Sequence, residues 1–388
     1  MPYEQGSIGR KFVLKGSKKH IRFERSDWKL LLLQLLLTGM VLCVFALFHH
    51  VLPEWELRRN GIGDPIGVVR PSMHPAEGDS DLPEAEQAEA AASGEEQAED
   101  PSELEEPEDP ETDASVTVAE ESIPWRIRFE EHFSDSPVAG ENYYSSPNLS
   151  VTITEFPQTE PYPEITYYVA DIYIADITCL RSAKPSRGAH DAAVNIAAEN
   201  DAVLAINGDS ALNQRRGILV RNGLIYGDSL VYGDLCILRY DGVMETFAAG
   251  SYTAEDILQR EPYQSWQFGP SLLDENGEPK EKFETTPQLS KRNPRTAIGY
   301  YEPGHYCFVV VDGRHPGYSV GAEMNTLARI MHDLGCRCAY NLDGGASSMM
   351  VLNGEIANHP YSASYENIYR AIGDMILITE PTEEGGET

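Results

Sequence analysis

The stretch Arg295–Arg314, RTAIGYYEPGHYCFVVVDGR, contains two apolar runs separated by Pro303-Gly304. Aromatic and β-branched residues dominate both runs, as is typical of buried strands, and a Pro-Gly pair favours a tight turn. The stretch therefore predicts an antiparallel hairpin. Its second strand ends at the polar sequence Asp312-Gly313-Arg314.

Similar patterns recur on both sides of this hairpin. Three further hairpins are predicted around Asn-Gly or Asp-Gly turns: GILVRNGLIYG (217–227), DLCILRYDGVMETF (234–247) and SMMVLNGEIA (348–357). Additional strands are predicted at 164–177, 202–207, 338–343 and 374–379, and helices at 189–201 and 322–335. Many hairpins and few helices predict an α+β fold with a mixed, mainly antiparallel sheet and packed helices.

Leu30–Phe48 is an uncharged apolar run of nineteen residues, which is long enough to cross a bilayer as a helix. Eight Lys or Arg residues and only three acidic residues precede it, so the positive-inside rule places the N-terminus in the cytoplasm. A cleaved signal peptide is the alternative, but the run is long for one and HHVLPEWELRR offers no small-x-small cleavage site. We therefore predict a single-pass membrane protein whose C-terminal domain is extracytoplasmic.

Composition divides the chain into five segments. Between Pro71 and Trp125 there are nineteen Asp or Glu and no Lys or Arg, which accounts for much of the net charge of −32. Self-repulsion and scarce large apolar side chains prevent a packed core in such a segment. We predict a basic cytoplasmic tail (1–29), a transmembrane signal anchor (30–48), a juxtamembrane segment with an acidic disordered tether (49–122), a globular domain (123–380) and a flexible tail (381–388).

The six cysteines are too few for a disulfide scaffold. Cys43 lies in the apolar run, and five follow it: Cys179, Cys236, Cys307, Cys336 and Cys338. The pair Cys336-Arg-Cys338 lacks the second ligand pair that a zinc site requires. We expect buried thiols, or at most one or two bridges.

Three polar clusters follow predicted apolar strands: INGDSA (206–211), VVVDGRHPG (309–317) and NLDGGASS (341–348). Strand ends place side chains at the edge of a sheet, where a ligand can meet them. The neighbouring glycines let a ligand approach the backbone closely. Arg295 is a fourth candidate, because a guanidinium group matches a pair of phosphate oxygens.

Each of these features also has an ordinary structural interpretation. Asp-Gly pairs are common in turns, and Asp241-Gly242 is an internal example of such a turn. Arg295 fits a salt bridge at a strand edge equally well. The sequence contains no HExxH-type histidine spacing, GxSxG elbow, P-loop or Rossmann fingerprint. It identifies no metal, although a divalent cation is compatible with the carboxylates, and we expect no nucleic-acid partner.

Six blocks occur in the order and approximate spacing of the phosphodiester glycosidase family: AINGD, FGPSLL, RNPRTAIGY, VVVDGR, SVGAEMNTLARIMHDLGC and AYNLDGGASSMMVLNG. RTAIG and NLDGG are the most specific of them. The chain resembles this family over about 189–378. The resemblance implies hydrolysis of a sugar 1-phosphodiester, which releases the sugar and leaves a phosphomonoester.

The roles of individual residues are inferred from the chemistry that this resemblance implies. A phosphomonoester is a good leaving group, so a carboxylate that activates water or stabilises an oxocarbenium-like centre matters more than a strong general acid. Asp343 is the first catalytic candidate and Asp312 the second. The predicted substrate-binding residues are Asn207, Asp209, Arg295, Arg314, Glu323, Asn341, Gly344, Gly345, Ser347 and Ser348.

Two blocks depart from the family pattern. Relatives usually have Asn-Gly-Gly followed by two aromatic residues where this chain has Asn207-Gly208-Asp209-Ser210-Ala211. Their usual GMTLEELA becomes GAEMNTLA, which puts Glu323 near a Thr position and Thr326 near a Glu position. Asp209 and Glu323 are interpreted as local substitutes for the missing groups.

The leading hypothesis is an anchored phosphodiester glycosidase that acts on phosphosugar-containing glycans or glycolipids of the cell envelope. A catalytically silent glycan-binding envelope module is the alternative, favoured by the altered NGD block. A structural envelope protein is a third hypothesis.

Overall fold

The computed structural model describes residue 38 and residues 65–71, 123–210, 217–287, 289–362 and 369–381. Apart from Thr38, the predicted span Leu30–Phe48 lies outside these residues, as do the predicted basic tail, most of the predicted tether and residues 382–388. Within the described part, no helix is both long and apolar enough to cross a membrane.

The described chain is rich in short strands. The strands are β1 (Gly67–Val68), β2 (Val138–Ala139), β3 (Tyr143–Ser145), β4 (Leu149–Pro157), β5 (Thr166–Ile174), β6 (Leu180–Ala183), β7 (Ala202–Asn207), β8 (Ile218–Arg221), β9 (Leu224–Asp228), β10 (Leu235–Arg239), β11 (Met244–Phe247), β12 (Pro262–Trp266), β13 (Arg295–Glu302), β14 (His305–Val311), β15 (Cys338–Asn341), β16 (Met350–Leu352), β17 (Glu355–Ile356) and β18 (Met375–Thr379). The helices are α1 (Trp125–Arg128), α2 (Ala193–Glu199), α3 (Ala254–Leu258) and α4 (Met324–Asp333).

The strands form four sheets in the described part of the chain. The largest has the order β15-β13-β14-β5-β4-β3-β2, and a second has the order β17-β16-β7-β18-β6. Two three-stranded sheets have the orders β1-β9-β8 and β11-β10-β12. Each pairing among these strands is antiparallel. The predicted α+β class with few helices is confirmed, whereas the predicted mixed sheet is purely antiparallel in the described residues.

The main core lies between the seven-stranded and five-stranded sheets. Strand β14 illustrates why: Tyr306, Phe308 and Val310 belong to this core, while the alternate residues of the strand face the other way. A strand places successive side chains on opposite faces, so a continuous apolar run such as YCFVVV is buried on both. The seven-stranded sheet is therefore an internal layer.

Helices cover the outer faces of both large sheets. Helix α4 packs Leu327 and Met331 with Val309 of β14 in a second core. Helix α2 packs Ile196 with Leu377 of β18 in a third. The order of layers is thus α4, seven-stranded sheet, five-stranded sheet and α2, which holds the strand ends in fixed positions.

A short part of the predicted juxtamembrane segment also joins the fold. Strand β1 pairs with β9, and Ile66 N donates to Ile225 O at 2.7 Å while Val69 N donates to Gly223 O at 2.8 Å. Val69 is buried in the small core beside these strands. Residues 65–71 therefore belong to the folded body, although the sequence places them in the predicted juxtamembrane segment.

Predicted hairpins are confirmed more closely than predicted helix ends. Strands β8-β9, β10-β11, β13-β14 and β16-β17 form the four expected hairpins. The helix expected at 189–201 is limited to Ala193–Glu199. Asp191, just before it, instead forms an antiparallel bridge with Ile372.

Candidate functional site

Several strands end at one edge of the two large sheets. Strand β7 ends at Asn207 and β15 at Asn341, and β18 starts opposite Asn207, with which Met375 is paired. Asp343 N donates to Gly208 O at 3.2 Å, which joins the loop after β15 to the loop after β7. Two of the three polar clusters predicted from the sequence are thus brought together.

Asn207 fixes this junction with its side chain. Its Oδ1 accepts from Thr296 Oγ1 at 2.7 Å and from Met349 N at 3.3 Å, while its Nδ2 donates to Asp343 O at 2.6 Å. The amide is buried. Asn207, predicted to bind substrate, therefore positions the backbone of Asp343.

Asp343 is half-buried and lines a narrow cleft. Its Oδ1 accepts from Gly344 N at 2.9 Å, and its carboxylate also hydrogen-bonds Ser347. Burial raises the pKa of Asp343 above its usual value, while the Ser347 and Gly344 hydrogen bonds and the Arg370 charge oppose the rise. The cleft is also lined by His190, Asn207, Gly208, Ser210, Ser347, Arg370 and Asp374.

A buried group of three charged side chains lies beside the same cleft. Arg221 Nη2 donates to Asp209 Oδ1 at 2.7 Å and lies 3.8 Å from Asp374 Oδ2. Gln267 N donates to Asp209 Oδ2 at 2.7 Å, and Ser210 N donates to Asp374 Oδ1 at 2.8 Å. Both oxygens of Asp209 are therefore engaged by the protein. This placement favours a structural role over the predicted substitution for a substrate-binding group.

The two carboxyl groups of this cluster are coupled. Burial and the adjacent Asp209 raise the pKa of Asp374 well above its usual value, and Arg221 only partly opposes them. Two carboxylates that share one guanidinium favour retention of a proton on one of them. The pKa of Asp374 is the one raised well above its usual value, so Asp374 is the member that favours the proton.

Asp312, the second catalytic candidate, lies in a different polar network. Its carboxylate is 1% exposed and accepts from Asn358 Nδ2 at 2.8 Å, Tyr318 OH at 2.9 Å and His359 N at 3.0 Å. Burial raises the pKa of Asp312, and these hydrogen bonds oppose the rise. Among the described residues, Asp312 shares no hydrogen-bond partner with Asp343. The two catalytic candidates are therefore held by different groups.

Arg295 is also placed differently from the prediction. Its side chain is 1% exposed, with Nε donating to Ala322 O at 2.9 Å and Nη2 donating to Leu289 O and Lys291 O, each at 2.6 Å. Burial and the nearby Arg314 charge lower the pKa of Arg295 to about 10. The guanidinium holds the loop before β13, so the structure does not support the predicted phosphate contact.

Arg314 is exposed beside the Gly344-Gly345 turn. Its Nη2 donates to Asn293 Oδ1 at 2.8 Å, and its guanidinium carbon lies 5.2 Å from the centre of the Tyr361 ring. A Cβ on Gly345 would lie 2.9 Å from Arg314 Nη2, and Gly345 has a positive φ of 66°. Glycine is therefore required for the turn to pass this close to the guanidinium.

The remaining predicted residues are divided between the cleft and its surroundings. Asn341 is buried and donates Nδ2 to Gly269 O at 2.7 Å. Ser347 contacts Asp343, whereas Ser348 O accepts from Asn358, on the side of Asp312. Glu323 precedes α4 and lines a separate groove with Tyr162 and Arg292. The prediction that Glu323 joins the site is therefore not supported.

Four residues of this region were not predicted: His190, Arg221, Arg370 and Asp374. Arg221 stands beside an Asn-Gly hairpin turn, and Asp374 precedes a strand, so each has the local pattern of a turn or strand boundary. Only the pairing of β18 with β7 brings Asp374 to Asp209. The position of Asp374 before the apolar run MILIT is the one signal that the sequence offers.

No group of three or more His, Cys, Asp or Glu side chains suited to a metal occurs among the described residues. Residues 200–379 match the family model described as phosphodiester glycosidase.

This segment is similar to phosphodiester glycosidases. The resemblance inferred from the six sequence blocks is confirmed over these residues. Strands β4 and β5 lie before the matched residues but are hydrogen-bonded into its seven-stranded sheet.

A solved structure shares the fold of this chain. The zebrafish N-acetylglucosamine-1-phosphodiester alpha-N-acetylglucosaminidase catalytic domain, auto-inhibited by its pro-peptide, is 22% identical, with a TM-score of 0.50 over 63% of this chain and 88% of that one. A hypothetical protein from Synechocystis is 13% identical, with a TM-score of 0.45 over 60% of this chain and 62% of that one.

One curated relative is similar in sequence. The SPbeta prophage-derived uncharacterized protein YomE of Bacillus subtilis strain 168 is 27% identical over 149 residues, or 38% of this chain. The aligned part spans only 22% of the length of YomE. The similarity therefore concerns one part of YomE, which is the longer protein.

Proposed function

We propose that the protein hydrolyses the bond between C1 of a sugar and the phosphate oxygen of a sugar 1-phosphodiester. The observation that carries this proposal is the cleft in which Asp343, Arg370, His190 and Asp374 meet. All of these except His190 lie in the segment that matches the family. The cleft combines a carboxylate with an exposed guanidinium, and a reaction at an anionic sugar derivative needs both.

Asp343 is the catalytic carboxylate in this proposal. In its ionised form it takes a proton from the attacking water or stabilises the positive charge that develops at C1. Asn207 and Gly208 hold its backbone, and Ser347 and Gly344 orient its side chain. A carboxylate held in this way need not reorganise as the reaction proceeds.

In this proposal the guanidinium group of Arg370 contacts the phosphate, and Arg314 lies beside Gly345 in the turn that follows Asp343. Arg370 replaces Arg295 in this role, because Arg370 is exposed in the cleft whereas Arg295 is bound to backbone carbonyls. As the C1–O bond breaks, the departing phosphate gains negative charge. A guanidinium in contact with it therefore stabilises the transition state more than the ground state.

The buried cluster of Asp209, Arg221 and Asp374 keeps the cleft from becoming strongly anionic. A phosphodiester carries one negative charge, and three ionised carboxylates nearby would repel it. Arg221 compensates Asp209, and a proton on Asp374 leaves Asp343 as the principal negative group at the cleft. The altered NGD block is thus compatible with catalysis.

We further propose that the domain is anchored to a membrane by Leu30–Phe48, lies outside the cytoplasm, and acts on phosphosugars of cell-envelope glycans or glycolipids. The charge asymmetry around the apolar run supports this topology, and the acidic composition of residues 72–122 supports a disordered connection. Protease added to intact cells is expected to remove the C-terminal domain; complete protection of the domain would reverse the topology.

The reaction is tested with the purified full-length protein and the methyl diester of N-acetylglucosamine 1-phosphate in H₂¹⁸O. Cleavage at C1 yields free sugar and methyl phosphate without ¹⁸O. Attack at phosphorus yields sugar 1-phosphate and methanol, or a labelled methyl phosphate, and would refute the proposal. Binding without turnover would instead support the glycan-binding module.

A further inference from the structure

Two buried cysteines are in contact on the helix-covered face of the seven-stranded sheet. Cys307 Sγ of β14 lies 3.5 Å from Cys336 Sγ, which belongs to the turn between α4 and β15. Cys307 is 0% exposed and Cys336 is 4% exposed. Both residues pack in the core that includes Met331 of α4.

The opposite strand provides the space in which these sulfur atoms meet. Gly299 of β13 is paired with Cys307, and a Cβ at this glycine would lie 2.6 Å from both Sγ atoms. Any larger residue at position 299 would therefore force the two sulfur atoms to move. The φ angle of Gly299 is not positive, so its backbone conformation does not require a glycine. The lack of space for a side chain is therefore the reason for a glycine here.

The other described cysteines have different neighbours. Cys179 Sγ lies 3.9 Å from Asn148 O, and Cys338 Sγ lies 4.0 Å from Thr246 Oγ1. Cys236 Sγ lies 4.0 Å from the carbonyl oxygen of the next residue. Within the described residues, the 3.5 Å contact is the one direct thiol pair.

We propose that Cys307 and Cys336 form a disulfide bond in the oxidised protein. The bond requires an S–S separation of about 2.05 Å, so the sulfur atoms must approach by roughly 1.5 Å. It would join the two ends of the segment 308–335. That segment carries α4 and Arg314, so the bond would restrain the loop that places Arg314 beside Gly345.

A low-molecular-weight disulfide such as oxidised glutathione is the oxidant. One cysteine, as its thiolate, attacks a glutathione sulfur, forming a mixed disulfide and releasing one glutathione. The second cysteine then attacks the protein sulfur and releases the other glutathione. The two protein thiols are oxidised to one disulfide, one oxidised glutathione is reduced to two thiols, and the two cysteine protons pass to them.

Burial determines when this exchange occurs. Both thiols are inaccessible in the folded domain, so the oxidant reaches them during folding or during local opening. The bond then constrains the unfolded chain, and for a loop of this length the melting temperature should rise by about 10 °C. This inference is independent of the proposed reaction.

The test uses the full-length protein, refolded from denaturant in a mixture of reduced and oxidised glutathione. Free thiols are alkylated under denaturing conditions, and the digest is mapped by mass spectrometry. The expected result is a linked peptide pair containing Cys307 and Cys336, which disappears after reduction. Reduction should also lower the melting temperature by about 10 °C.

Two variants provide the comparison. Cys336→Ser should abolish the dependence of the melting temperature on reductant, whereas the matched control Cys179→Ser, also at a buried cysteine, should retain it. Complete alkylation of Cys307 and Cys336 in the oxidised wild-type protein would overturn the proposal. A bond between Cys236 and Cys338 in place of the Cys307–Cys336 bond would also overturn the proposal. Both results are obtained with the wild-type protein, so neither depends on the folding of a variant.

Discussion

Replacing Asp343 with Asn tests whether this residue is catalytic or only shapes a turn. Asn keeps an oxygen that can accept from Gly344 N, which donates to Asp343 Oδ1 at 2.9 Å, but it removes the negative charge. If Asp343 only shaped the turn, the variant would keep its activity and lose at most about 1 kcal/mol of unfolding free energy.

A catalytic role predicts the opposite result. Without a carboxylate, water is not activated and the charge at C1 is not stabilised, so kcat should fall by roughly a hundredfold to ten-thousandfold. Stability should be unchanged or slightly higher at neutral pH. Burial raises the pKa of Asp343, so the folded state disfavours the ionised carboxylate. Asn carries no charge and avoids this cost.

The matched control is Asp241→Asn. Asp241 also precedes a glycine, and its Oδ1 accepts from Val243 N at 3.1 Å, but it lies in the β10-β11 turn. This variant loses an exposed ion pair with Arg239, so it should cost at most about 1 kcal/mol and leave kcat unchanged.

The assay measures free sugar and phosphomonoester from one diester substrate, together with urea unfolding of each variant. Near-wild-type turnover by Asp343→Asn would refute the assignment. The catalytic carboxylate would then be sought at Asp374, which lines the same cleft, and not at Asp312, which lies in the separate network.

The remaining predictions concern charge. Arg370→Ala should lower kcat/KM at least tenfold with little change in melting temperature, because the side chain is exposed; an unchanged kcat/KM would show that it does not contact the phosphate. Arg295→Lys should lower the unfolding free energy by roughly 2–3 kcal/mol, as three backbone carbonyls lose their guanidinium, while KM stays within about twofold; a large rise in KM at full stability would restore the phosphate role. The acidic limb of the kcat/KM profile should lie above the usual carboxylate range, because the pKa of Asp343 is raised; a limb at about pH 4 or below would contradict it. The pKa of Asp374 is raised in the folded protein, so this residue contributes stability at low pH that is lost as the pH rises through the folded pKa. The unfolding free energy of Asp374→Asn relative to wild type should therefore increase from about pH 4 towards neutrality. A difference that does not depend on pH would contradict the raised pKa of Asp374.

The sequence predicted the hairpins well because their turns are local. Asn222, Gly223 and Gly242 have positive φ, so each turn is specified within two residues of the sequence. Helix ends were less predictable, because the chain before α2 pairs with a residue about 180 positions away, Ile372. Such a bridge leaves no local pattern.

The site was predictable only where motif and strand end coincide. Asp343, Gly344 and Ser347 were identified in this way, and the structure places them at the cleft or the turn beside it. Arg295 was assigned to phosphate because an arginine at a strand start has the same sequence pattern whether it meets solvent or backbone carbonyls. Asp374 was missed because its partner Asp209 is brought near only by strand pairing.

The pairing of β1 with β9 changes how far the domain can stand from a membrane. Because residues 65–71 are attached to the folded body, residues 72–122 leave that body and return to it. On the proposed topology, the stand-off is therefore limited by residues 49–64 alone, whose extended contour is roughly 55 Å. Lengthening or deleting part of 72–122 would leave this limit unchanged, whereas each residue removed from 49–64 would bring the catalytic cleft closer to the lipid surface.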